Sequence, residues 1–159
     1  MPGYQPVDVG SSKSVDEATA ATSAGHVTAV VINAALLWAI HMWPGWQTVP
    51  FLTPDTSRVL GAVTLVLVAT MLAHLVFLLV PSRVVNALGN LAVLAIGVPA
   101  MVQLWEVFPF DFSGTWSGWP VVVRTLLVLG IVGQVIGFIV GLVTLFRAVA
   151  GFGAERRAD

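Results

Sequence analysis

Charge is scarce in this chain. Of 159 residues only 9% are charged, where an ordinary soluble domain carries roughly 25%. Hydrophobic residues make up 57% of the chain and mean hydropathy is +0.92. That combination excludes a disordered chain, which needs high charge and low hydrophobicity, and it excludes a water-soluble domain. Cysteine is absent, which excludes a disulfide scaffold, a thiolate metal site and a cysteine nucleophile. Lysine occurs once and arginine six times, with no basic block. No nucleic-acid partner is expected, and no anionic head-group site of clustered Lys and Arg.

What the chain does have is long charge-free runs. Residues 27–42, 59–80, 84–105 and 125–146 contain no Asp, Glu, Lys or Arg. A crossing helix needs about 20 mostly apolar residues, because the hydrocarbon core is about 30 Å thick and each residue rises about 1.5 Å. Backbone groups in lipid must bond within their own segment, so each run is expected to be helical despite its Val and Ile. The reading is all-α: a four-helix transmembrane bundle with spans at about 25–43, 59–80, 84–105 and 122–146 inside a domain covering 14–147. Residues 1–13, rich in Gly, Pro and Ser, read as a disordered cytoplasmic N-terminus, and 148–159 as a cytoplasmic tail.

Local punctuation places the ends. Ser14-Val15-Asp16-Glu17 reads as a capping box that starts helix 1 in water, and Trp43-Pro44-Gly45 stops it. Thr53-Pro54-Asp55 offers an N-cap, a first-turn proline and an acid to helix 2. Pro81-Ser82-Arg83 is so short that helices 2 and 3 must be antiparallel neighbours, and Pro99 predicts a kink in helix 3. Four spans put both termini on one side. Lys13, Arg83, Arg147, Arg156 and Arg157 lie on that side and only Arg58 and Arg124 on the other, which assigns the termini to the cytoplasm of a plasma-membrane protein. No cleaved leader is expected, since the first apolar run lacks a basic flank and a small-x-small site.

Two outer loops share a pattern. Trp46-Gln47-Thr48-Val49-Pro50-Phe51 and Trp105-Glu106-Val107-Phe108-Pro109-Phe110 both read W-x-x-[VF]-P-F, and each precedes an arginine, Arg58 or Arg124, at the next helix start. Two readings are open: the chain is two copies of a helical hairpin, or two loops at one interface collected the same residues independently. The aromatic residues of these loops likewise read either as a head-group belt or as a folded cap. Asp55, Arg58, Glu106, Asp111 and Arg124 lie among the rings, together with Trp46 and Trp105, and could pair across it.

With Trp43-Pro44-Gly45-Trp46, Pro50-Phe51-Leu52-Thr53 and Val107-Phe108-Pro109-Phe110-Asp111-Phe112-Ser113, the chain resembles a group of small four-helix membrane proteins of high-GC bacteria over about residues 28–147. The shared motifs are loop motifs, and the resemblance implies no catalytic residues.

Polar groups within a membrane are the first place to look for function. Asn33, Thr70, His74, Asn86, Asn90 and Gln134 give each helix a side chain for a polar layer in the inner half of the bundle, with His74 the deepest ionisable group. The competing reading is ordinary interhelical hydrogen bonding. Haem ligation by two histidines needs two rings at one depth, and His26 reads near the inner surface while His41 reads near the outer one. No cofactor and no metal are expected. A membrane protease or transferase would need carboxylates, a Ser/His pair or a metal cluster, and no span holds a carboxylate. Helix 4 carries Gly133-x-x-x-Gly137-x-x-x-Gly141, with Gly130 one turn earlier, which invites close approach of helix 1 or of a second copy.

The sequence thus points to a non-enzymatic multi-pass protein embedded in the lipid bilayer that acts by interaction, as an accessory or scaffold subunit, including as a homodimer or within a larger membrane complex. The alternative is a small transporter or ligand-binding protein built on the polar layer around His74.

Overall fold

Lipid satisfies apolar side chains but not backbone amides, so a chain of this composition should be almost entirely helical. The computed structural model describes the backbone of residues 9–114 and 116–155, and side chains of 20–114, 116–147 and 150. Its elements are α1 (Val9–His41), α2 (Thr56–Leu79), α3 (Arg83–Val107) and α4 (Trp119–Glu155), with one turn of 3₁₀ helix at Trp46–Thr48. Among the described residues there is no strand, only an isolated bridge between Leu52 and Phe110.

Four segments are long and apolar enough to cross a membrane: Ala20–His41, Thr56–Leu79, Arg83–Val107 and Trp119–Arg147. At the rise of an α-helix they measure roughly 33 to 44 Å. None of the α1 window is buried inside the protein, and only 6% of the α2 and α4 windows is. Large apolar side chains stand open on α1 and α4: Trp38 is 55% exposed, Val121 67% and Phe146 75%. In water such surface would drive aggregation; against acyl chains it is at home, because lipid is as apolar as leucine.

Helix ends differ from the sequence expectation where another force acts. Helix α1 is already helical at Val9, the first described residue, so residues 9–13 are helical and the Ser14 capping box lies inside the helix; residues 1–8 fall outside the described residues. No proline interrupts the chain between Pro6 and Pro44, and a helix stabilised by its lipid-embedded half runs back through such a segment. At the other end, Gly45 takes φ 82° and donates its N–H to Ala39 O at 2.9 Å, closing off the last carbonyls. The expected N-cap at Thr53 falls at Asp55 instead. Thr53 donates its N–H to Pro109 O at 3.1 Å, which commits it to the opposite loop. Pro99 lies inside α3, which continues through it to Val107.

The helices run up and down, and α1 packs on α2, α2 on α3, and α3 on α4. No comparable contact joins α1 to α4 among the described residues, so the succession is open at both edges. The α3–α4 seam is interlocked. Met101 faces Gly130, Gly97 faces Gln134, Leu94 faces Gly137 and Leu91 faces Gly141. At each level a glycine takes the bulk of the other helix: a Cβ at Gly130 would stand 2.7 Å from Met101 Cε, and one at Gly141 3.0 Å from Leu91 Cδ2. The partner of these α4 glycines is therefore α3, not α1, because only α3 is packed alongside. Gly133 has nothing within 4 Å and belongs to the open face.

Candidate functional site at the capped end

The loops after α1 and α3 are brought together, and they form the most structured non-helical region of the molecule. Leu52 and Phe110 bridge antiparallel. Thr53 N–H to Pro109 O at 3.1 Å and Asp111 N–H to Phe51 O at 2.9 Å flank that bridge. The Pro-Phe steps of the two W-x-x-[VF]-P-F segments thus lie side by side, with Pro109 fully buried. Both loops occupy one end of the molecule, and the α2–α3 turn occupies the other.

Rings fill the space above this ladder. Phe112 lies near-parallel to Phe51, Phe110 and Trp119, at centroid distances of 6.0, 6.1 and 6.2 Å and interplanar angles of 19°, 10° and 27°. At that separation near-parallel rings are offset, leaving part of each face uncovered by its neighbour. Phe108 packs edge-on to Phe110 at 5.4 Å and is the one described non-glycine residue with positive φ, at 40°. A left-handed L-residue costs roughly 1–2 kcal/mol. The position is held by Arg124, whose guanidinium lies 4.3 Å over the Phe108 ring and 5.1 Å over Trp105, a cation–π contact of about 0.5–1 kcal/mol when exposed.

The charged cap residues do not form one network. Arg58 pairs with Asp55 at 3.4 Å with both side chains more than half exposed, a bond worth about 0–1 kcal/mol. Gln103 Nε2 donates to Arg58 O at 2.9 Å, tying α3 to the first turn of α2. Arg124 turns to rings rather than to Glu106 or Asp111, and Glu106 is exposed. Asp111 accepts from Ser113 N–H at 2.8 Å, and bonds from the Ser113 amide and hydroxyl hold its carboxyl below the usual carboxylate range. Trp46 sits half-buried in the 3₁₀ turn. A cavity of about 570 Å³ opens on this cap, lined by Pro50, Phe51, Phe110, Asp111, Phe112, Ser113, Trp119 and Val123. Two further depressions, on the outer faces of α2–α3 and of α4, are lined almost wholly by apolar span residues.

The polar span residues are not gathered in one layer. Asn33 Nδ2 donates to Ala29 O of its own helix at 2.8 Å. Asn90 is exposed on α3 and Thr70 is half-buried on α2. Asn86 and Gln134 each hold a buried side-chain oxygen with no hydrogen-bond partner, and Gln134 lies over Gly97. His74 does find a partner, the one the sequence reading set aside. His26 Nδ1 and His74 Nδ1 are 2.9 Å apart, and both rings meet the edge or face of Phe77 at 5.6 Å. His26 reads as shallow when the span starts at Gly25; its contact with His74, near the end of α2, sets the two rings at one level. Phe77 is 5% exposed and was invisible as a hub because one Phe among many in an apolar run carries no distinguishing signal. Near the capped end, His41 Nε2 lies 3.2 Å from Thr64 Oγ1, so α1 meets α2 through a histidine at each end.

No group of three or more His, Asp or Glu that could hold a metal ion is found among the described residues. No family model matches the chain, and no curated protein or solved structure is similar to it.

Proposed function

We propose that this chain is a multi-pass protein of the plasma membrane, with both termini in the cytoplasm and the aromatic cap outside, that acts by interaction as an accessory or scaffold subunit. The observation that carries this reading is the open edge. Among the described residues helices α1 and α4 do not pack on each other, and Leu129, Val132, Ile136 and Val140 extend along the exposed side of α4. In lipid a helix face of this kind gains partners by shape rather than by hydrophobic force, and a small residue such as Gly133 permits close approach. The arginine asymmetry supports the orientation.

A transport role built on Asn33, His74, Asn90 and Gln134 would need those side chains around one cavity. They bond within a helix, pair across α1–α2, face outward or lie in the α3–α4 seam, which supports interaction over transport. Crosslinking in native membranes, with native mass spectrometry of the extracted protein, is the test. Recovery of a homodimer or of a defined larger complex is expected; a strictly monomeric species that captures nothing would overturn the reading.

A further inference from the structure

The cap cavity has the chemistry of a cation site. Four of its lining side chains are aromatic, with Phe112 near-parallel to Phe51, Phe110 and Trp119, and the Asp111 carboxylate lines it with them. A ring face carries negative quadrupole density and attracts a cation within about 6 Å of its centroid. The same cap already demonstrates the interaction, since Arg124 lies on the faces of Phe108 and Trp105. Among the described residues the cap has two cationic side chains, and both are engaged: Arg124 on its rings and Arg58 with Asp55. Neither forms an ion pair with Asp111.

The class of cation follows from what the cavity lacks. A primary ammonium has three N–H donors and a guanidinium five, and each must find an acceptor when it leaves water. Here the adjacent Asp111 and Ser113 are the polar lining, and the remaining walls are Pro50, Val123 and aromatic rings, so N–H donors turned away from that pair would meet only carbon. A quaternary ammonium has no N–H to satisfy; it needs only ring faces around its methyl groups and a negative charge nearby. The volume of about 570 Å³ falls within the ordinary range of small-ligand sites. We propose that the Phe51–Phe110–Phe112–Trp119 cavity, with Asp111, binds an organic cation of the trimethylammonium class. The site stands apart from the open edge of α1 and α4, so it does not depend on the interaction reading above.

The test uses the full chain in phosphatidylglycerol nanodiscs, titrated with choline and with its neutral isostere 3,3-dimethylbutan-1-ol while Trp fluorescence is followed. Choline is expected to bind at least about 10-fold more tightly than the neutral alcohol, the size of a favourable cation–π and charge contribution. Asp111→Asn should weaken choline about 10-fold and leave the alcohol unchanged. Phe112→Leu keeps apolar bulk but removes a π-face and should act the same way. Equal affinity for choline and the alcohol, or no saturable binding of choline, would overturn the proposal. A second arm separates the sources of such a cation. If phosphatidylcholine in the nanodisc weakens choline binding by competition, the natural occupant is a lipid head group; if choline affinity is the same in both bilayers, it is a free solute. Either result requires that choline bind as proposed.

Discussion

Replacing Gly89 by alanine tests the packing of α2 on α3 at its tightest point. A Cβ built at Gly89 would stand 2.5 Å from Phe77 Cε1 and 2.6 Å from Phe77 Cζ, about 1 Å inside ordinary carbon contact. The ring has little room to yield: it is 5% exposed, and the imidazoles of His26 and His74 meet it from α1 and α2, each at 5.6 Å. Overpacking of this kind costs roughly 1–3 kcal/mol, and the rigidity of the site places it near the top of that range. Removing a glycine from a helix interior returns about 1 kcal/mol. The net expectation is a destabilisation of about 2 kcal/mol. Gly61 and Gly133, with nothing within 4 Å, give the internal comparison, since alanine there should be neutral or stabilising by up to about 1 kcal/mol. Unfolding in detergent micelles followed by circular dichroism measures all three. In a Phe77→Leu background the Gly89→Ala penalty should disappear, because the obstructing ring is gone. A Gly89→Ala protein as stable as Gly61→Ala, or an equal penalty with and without the ring, would refute the reasoning.

Other expectations follow from single contacts. His74→Ala removes the 2.9 Å contact to His26 and should cost about 1 kcal/mol; His26→Ala should cost about as much, and the double variant little more than either, as a thermodynamic cycle would show. Hydrogen exchange should then rise in α1 before it rises in α3. Arg124→Lys keeps the charge but loses the planar guanidinium that lies over Trp105 and Phe108, and should lower cap stability by about 0.5–1 kcal/mol, read as a shift in Trp fluorescence on heating. The Asp111–Ser113 bonds favour the charged carboxylate. Their contribution is present above the ordinary carboxylate range and is lost as pH falls through the lowered value, so the cap's fluorescence should show an acid transition below that range, and Asp111→Asn should abolish it.

The spans were legible because a membrane imposes a length on every charge-free run: 59–80, 84–105 and 125–146 meet it directly, and 27–42 meets it once its uncharged flanks are added. Pairings between spans were not legible in the same way. A His26–His74 contact depends on relative depth, and a one-turn uncertainty in where a helix enters lipid is enough to separate two residues that meet. The glycines of α4 announced close packing, but not its partner: small residues accept any helix, and connectivity rather than composition brings α3 to them. Gly97 and Gln134 show the same limit, since the exchange of small and large sides is visible only once the antiparallel register is known. At the cap, the two W-x-x-[VF]-P-F segments hold the Pro-Phe steps that lie side by side. That the two Pro-Phe steps pair through Thr53 and Asp111 depends on both loops ending at one face of the molecule. Asn33 and Asn90 were selected by residue type and depth, and neither says which way a helix is turned.

The complete lack of cysteine makes one experiment unusually direct. Single cysteines at Gln47, Ser82, Ser117 and Ala150 can be probed in intact cells with a membrane-impermeant thiol reagent. The account of four crossings with an outer aromatic cap predicts labelling of the Gln47→Cys and Ser117→Cys proteins from outside, and labelling of Ser82→Cys and Ala150→Cys only after permeabilisation. Labelling of position 82 in intact cells, or of 47 and 117 from opposite sides, would contradict it.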